Sequence, residues 1–188
     1  MKKVKKDKKG NIKRDAEGDP LYRVLYPSKG NLKTIQSCIK DRILNQLELP
    51  ILVQGGVRGR DNVSNALIHK GNKYFFLTDI EKFFPSIRHF QVYEMLVSNG
   101  FSPTVAGIIT KLTTYKGRLP QGTPTSTALA NLTFCVVDAE LSAFCEEYNL
   151  TFTRFVDDIT ISSKKPFKQL SGPIVKIITR HGYSISKK

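Results

Sequence analysis

Cysteine is scarce in this chain, and the spacing of the few present excludes two classes of protein. Cys38, Cys135 and Cys145 are the three cysteines among 188 residues, and no two form a CxxC pair. Neither a zinc site nor a disulfide framework is therefore expected, and the three are read as buried thiols. No run of 18 or more apolar residues occurs, and the basic N-terminus is not followed by an apolar segment. That pattern offers neither a membrane span nor a secretory signal, so no membrane partner is expected and a cytoplasmic location is. No internal repeat is visible. Acidic residues are the other shortage: 16 Asp and Glu face 30 Lys and Arg, a net charge of +14. An excess of that size predicts a polyanionic partner held in a salt-sensitive way, for which nucleic acid is the obvious candidate.

What is present is enough for a core. With 188 residues and 40% hydrophobic content, the chain suits one domain or a compact two-lobed unit. The charge is uneven: residues 1–14 carry eight Lys or Arg against one Asp, a balance of +7 and half of the whole excess. Residues 1–20 are Lys-rich, poor in large apolar residues and punctuated by Gly10, Gly18 and Pro20, which predicts a disordered or loosely held tail. Such a tail serves either as a solubilising arm or as a polyanion contact.

Order is expected from about Leu21. Leu32, Ile35, Ile39, Ile43 and Leu47 recur at spacings of three and four, a helical pattern that runs to about Leu49 and stops at Pro50. Gln54-Gly-Gly-Val-Arg-Gly-Arg-Asp-Asn62 follows, a loop whose glycines permit close backbone approach and whose arginines offer bidentate phosphate contacts. Taken alone it also fits a basic surface turn. A short helix from Asn62 to His69 comes next, with His69 read as a structural residue at its end. The apolar run Tyr74 to Leu77 reads as a buried strand that delivers Asp79 at its end. Helices are expected over His89 to Ser98, from the Ser102-Pro103 cap to near Tyr115, over Ser126 to Tyr148 and over Ser171 to His181. Strands mixed with helices in this order imply an α+β fold.

One stretch organises the rest, Thr151-Phe-Thr-Arg-Phe-Val-Asp-Asp-Ile-Thr-Ile-Ser162. Phe152, Ile159 and Ile161 alternate with polar residues on either side of a polar apex, the period-2 signature of two strands joined by a tight turn. The apex holds Asp157 and Asp158. Adjacent carboxylates repel each other, and a divalent cation neutralises them; an exposed, solvated turn accommodates the same pair. Asp79, at the end of its own strand, supplies a third carboxylate, and an Asp-ended strand beside a carboxylate hairpin is the arrangement used for two-metal phosphoryl transfer.

Together with Leu119-Pro-Gln-Gly-Thr-Pro-Thr-Ser126, the Asp79 and Asp157-Asp158 blocks resemble the reverse transcriptase family, in its bacterial retron-like and group II intron-like branch. The resemblance runs from about Leu21 to Lys188. It implies a right-hand polymerase palm over about residues 76–188, an antiparallel sheet packed on helices, with a partial fingers subdomain over about 21–75 and no thumb. It implies an RNA-directed DNA polymerase that adds dNTPs to a DNA or RNA primer on an RNA template. Mg²⁺ is the implied cofactor, with Mn²⁺ as the alternative, held by Asp79, Asp157, Asp158 and the backbone carbonyl of Ile80. Arg58 and Arg60 fall in the fingers motif that grips the incoming nucleotide, Arg58 being the favoured one. Phe84 falls where an aromatic ring sits under the nucleotide sugar and excludes a 2′-hydroxyl, and Gln121 and Gly122 fall in the turn that contacts the nucleotide. Retron, intron mobility and antiviral defence all use such domains. The chain departs from the family pattern at Phe155, where Tyr is usual, and in ending at the Gly182-Tyr-Ser-Ile-Ser-Lys-Lys188 segment where a thumb normally follows. A separate thumb or accessory protein is accordingly a candidate partner. The competing reading is a thumbless nucleic-acid-binding or assembly module.

Overall fold

The computed structural model describes residues 1–4, 10–12, 14 and 17–186. Its centre is a three-stranded antiparallel sheet in the order β3-β5-β4, built from β3 (Tyr74–Asp79), β4 (Thr151–Phe155) and β5 (Asp158–Ser163). Alternation along these strands sorts the side chains onto two faces. Phe152, Arg154, Ile159 and Ile161 share one face and are all buried. Against it lies α6 (Ser126–Glu147), which buries Leu129, Phe134, Val137 and Leu141, and α7 (Ser171–Arg180) packs beside α6 through Ile174 and Ile178. Each large aliphatic side chain so buried contributes about 1.5–3 kcal/mol. By length and composition α6 would span a bilayer, but here it is the core helix, with over half of its most apolar window buried. Phe134 is central: Phe83 meets it edge-on at 5.5 Å between ring centroids and Tyr183 at 4.8 Å.

The remaining helices form where local signals place them. A short helix α3 (Phe83–Ser86) follows β3, α4 (His89–Ser98) agrees with its expected bounds, and α5 (Pro103–Thr113) starts at Ser102, whose Oγ accepts the N–H of Val105. Helix α2 (Asn62–Ile68) opens on a reciprocal cap between Asp61 and Ser64. His69 follows it and is buried, with Nδ1 2.6 Å from Ser162 Oγ and Nε2 2.7 Å from Thr153 Oγ1. It thereby ties α2 to the second face of the sheet, in the structural role expected of it.

Several expectations are corrected. Helix α1 (Gly30–Arg42) does not reach Leu49; it breaks at Ile43, and a 3₁₀ turn over Leu44–Gln46 swings Leu44 into the core. Leu32 and Ile35, part of the helical spacing pattern, are 41% and 43% exposed. Strand β3, expected to be buried, is an edge strand on which Tyr74, Phe75 and Leu77 are exposed. Within the N-terminal stretch expected to be loose, Lys2–Val4 forms strand β1, antiparallel to β2 (Tyr22–Val24); residues 5–9, 13, 15 and 16, and Lys187 and Lys188, lie outside the described residues. Of the three thiols expected to be buried, Cys38 is exposed, whereas burial pushes those of Cys135 and Cys145 up to about 11 and about 12, far from the thiolate form that reactivity requires.

Candidate active site

The hairpin between β4 and β5 is as tight as a hairpin can be. Phe155 pairs with Asp158, leaving Val156 and Asp157 as a two-residue turn. Val156 has a φ of 59°, a conformation that a β-branched side chain resists. The loop after Pro50 packs directly on this turn: Val53 bridges Arg154 in parallel register, Arg154 N–H donates to the Leu52 carbonyl, and Gln54 N–H donates to the Arg154 carbonyl. Gly55 makes the approach possible, since a Cβ there would lie 2.5 Å from Val156 N and 2.7 Å from Phe155 C.

Strand β3 brings Asp79 to the same place. Asp79 and Asp158 are cross-strand partners, and the next residue, Ile80, donates its N–H to the Asp157 carbonyl at 2.9 Å. In an antiparallel ladder a residue's N–H and C=O point to the same side, so the Ile80 carbonyl also faces the hairpin. On the other side of β3 the chain's last described residues add a further rung. Ile80 bridges Ile185, Ser186 N–H donates to the Asp79 carbonyl, and Ser186 Oγ donates to Asp79 Oδ2 at 2.5 Å.

Asp79, Ile80 and Asp157 line a cavity of about 620 Å³ together with Glu81, Phe84 and Gln121. Asp158, by contrast, is exposed and does not line it. Phe83 and Phe84 divide the roles of core and cavity: Phe83 is buried at 2% exposure, while Phe84 is half-buried and faces the cavity. The turn bearing Gln121 is held by Ser126 Oγ donating to the Pro120 carbonyl and by Tyr26 N–H donating to the Gln121 carbonyl. Gly122, at φ 99°, packs on Leu25 and shapes this turn without lining the cavity. Lys82, Lys116 and Arg118 bring positive charge to the lining. Neither Arg58 nor Arg60 reaches it; the Arg60 guanidinium donates instead to the Pro50 and Val53 carbonyls at 2.7 and 2.6 Å.

Among the described residues no group of three or more His, Cys, Asp or Glu side chains is gathered as a metal cage. Of the three carboxylates that line the cavity, Asp79, Glu81 and Asp157, the two aspartates fit a hard divalent cation of the Mg²⁺ kind, which binds through one or two carboxylates, keeps several waters and takes further oxygens from substrate phosphates. Asp79, whose Oδ2 accepts from Ser186, and Asp157 are the side chains that would hold such an ion.

Several residues of this neighbourhood were not singled out by sequence patterning. Tyr22, Tyr26 and Tyr115 form part of the cavity wall, with the Tyr26 and Tyr115 rings 5.2 Å apart. Arg154 and Asp138 form a fully buried ion pair beneath the hairpin; burial pushes the Asp138 carboxyl up, against the pull of Arg154. A signal for the pair existed, because Arg154 is in phase with the apolar Phe152 and Asp138 sits inside the apolar stretch of α6.

Comparison with known proteins agrees on the family. The profile described as Reverse transcriptase (RNA-dependent DNA polymerase) matches residues 7–188. Retron Ec86 reverse transcriptase of Escherichia coli is 30% identical over 184 residues, covering 97% of this chain and 55% of that protein. Retron Se72 reverse transcriptase of Salmonella heidelberg is 35% identical over 144 residues, covering 76% of this chain and 38% of that protein. The chain thus spans about half the length, or less, of these curated relatives. A telomerase from Candida albicans, solved with a fragment of telomeric RNA, covers 84% of this chain and 34% of its own at a TM-score of 0.47 and 10% identity, too distant a likeness to build on.

Proposed function

Since the chain belongs to the reverse transcriptase family, we propose that it carries the catalytic centre of an RNA-directed DNA polymerase, extending a primer 3′-hydroxyl with dNTPs on an RNA template. The observation that carries this reading is the meeting of Asp79 and Asp157 on one cavity wall, locked in register by the Ile80 N–H to Asp157 carbonyl bond. Mg²⁺, when bound, neutralises charge on the phosphates and activates the attacking hydroxyl. Asp79 and Asp157 supply the negative oxygens that hold it, with the Ile80 carbonyl oriented toward the same side and Asp158 adding negative potential from the adjoining strand. Lys82, Lys116 and Arg118 line the cavity where they attract a polyphosphate. Phe84 sets its ring against the nucleotide sugar, and the Gln121 amide donates to a sugar or phosphate oxygen. The fingers arginine is assigned on the family resemblance alone: Arg58 and Arg60 both stand outside this cavity, and Arg58 is favoured because Arg60 is already engaged with two carbonyls.

Primer extension on an RNA template by the 188-residue chain tests the assignment. Asp79→Asn and Asp157→Asn should each reduce Mg²⁺-dependent incorporation by about 100-fold or more with the fold retained, and near-wild-type incorporation by either variant would sink it.

A further inference from the structure

We infer that Arg154 is a positioning residue for the carboxylate hairpin, acting through the carbonyl of Val156; this rests on the reading of Asp79 and Asp157 given above. Arg154 and Asp138 are both 0% exposed, and the pair is bidentate, Nε donating to Oδ1 at 2.8 Å and Nη2 to Oδ2 at 2.6 Å. Nη1 donates at 2.8 Å to Asn131 Oδ1 and at 2.9 Å to the Val156 carbonyl, and the guanidinium lies 4.9 Å above the Phe134 ring. Removing two charges from water costs several kcal/mol per ion, and well-packed apolar side chains of similar size stabilise a core as well or better. Stability alone therefore does not account for an ion pair at this place, whereas the identity of its third acceptor does.

Val156 is the one β-branched residue among the described residues with positive φ, and it directly precedes Asp157. Left to local preference, its peptide would relax toward a β or α conformation and rotate Asp157 with it. A charge-assisted hydrogen bond to its carbonyl, from a guanidinium that Asp138, Asn131 and the Phe134 ring hold rigid, fixes that peptide plane. The same network grips the turn from the opposite side. Asn131, which accepts from Arg154, donates Nδ2 to the Gly55 carbonyl at 2.8 Å, and Gly55 packs against Val156. Clamped between the two, the turn presents the Asp157 carbonyl to Ile80 N–H, and so sets the spacing of Asp157 from Asp79.

The test separates positioning from structural support. Arg154→Met combined with Asp138→Leu removes both charges and leaves no unpaired ion in the core. The double variant should unfold at a denaturant concentration close to wild type. Its Ile80 amide, followed by hydrogen exchange, should lose protection by about tenfold relative to the β3 amides. In primer extension kcat should fall by about 100-fold with little change in KM for dNTP. Arg154→Lys keeps the charge and lacks the fork, and should show the same selective loss at Ile80 even if the double variant does not fold. Wild-type protection at Ile80 in whichever variant folds would overturn the inference, as would uniform loss along β3 that tracks global stability. The exchange comparison needs no catalysis, so an inactive wild-type chain would count against the polymerase reading and leave this test standing.

Discussion

Asp79 and Asp158 face each other across the β3–β5 ladder in a pair whose backbones are not hydrogen-bonded to one another. The parity follows from Ile80 N–H reaching the Asp157 carbonyl while the Asp79 carbonyl turns away to Ser186 N–H. Pairs of this kind bring their side chains closer than hydrogen-bonded pairs do, and like charges directly opposite destabilise a sheet by roughly 0.2–1 kcal/mol. Asp158→Asn should therefore raise unfolding free energy by about that amount in urea titrations with a chelator present, and a drop in stability would show that the opposition carries no strain.

Phe84 is half-buried on the cavity wall while its neighbour Phe83 fills the core. Under the proposed function, Phe84→Ala opens space beside the nucleotide sugar and is expected to raise rNTP incorporation relative to dNTP by about tenfold or more. Competition between the two substrates in primer extension measures it, and an unchanged ratio would leave the ring a packing role alone.

Burial holds His69 below the ordinary imidazole value of 6.5. Its folded pKa is lower than its unfolded one, so between the two the unfolded chain binds the extra proton. The stabilisation is complete above about pH 6.5 and is lost as pH falls below it. His69→Gln should remove that part of the pH slope. It should also cost about 1–3 kcal/mol through the buried Ser162 and Thr153 hydroxyls left imperfectly paired. Denaturation midpoints between pH 5 and 8 compare the two chains, and parallel profiles would exclude His69 as the titrating group.

Gly55→Ala places a methyl group 2.5 Å from the Val156 nitrogen, backbone that has no rotamer in which to yield. A destabilisation of about 1–3 kcal/mol is expected, together with weaker protection of the hairpin amides. A silent Gly55→Ala would mean that the loop and the turn are less tightly apposed than this distance requires.

The positive excess should appear as salt-dependent attachment to template–primer. Affinity is expected to fall by orders of magnitude between about 50 and 200 mM salt. Lys2→Gln with Lys3→Gln should flatten the slope of log K against log salt by up to about one for each phosphate that is no longer neutralised. Fluorescence anisotropy over a salt series reads both, and a slope that the substitutions leave untouched would remove these lysines from the footprint.

Much of this architecture is local and could be read from order alone. The period-2 pattern around Asp157 defines a hairpin because alternation needs only the residues of that strand, and Ser102-Pro103 starts a helix because a cap needs only the turn that follows it. Asp79 at a strand end was legible for the same reason, whereas the Pro-Gln-Gly turn was legible only through the family resemblance. What tertiary structure decided is everything that depends on closing a long loop. Helix α1 ends at Ile43 because Leu44 finds the core there, and Arg60 turns away from the cavity because the Pro50 and Val53 carbonyls lie within its reach. Lys2–Val4 becomes a strand only where Tyr22–Val24 lies beside it. Arg154 and Asp138 are a bland arginine and a bland aspartate in sequence. Only when α6 lies under the hairpin are both removed from water, and a charge without solvent must take the partners that the fold supplies.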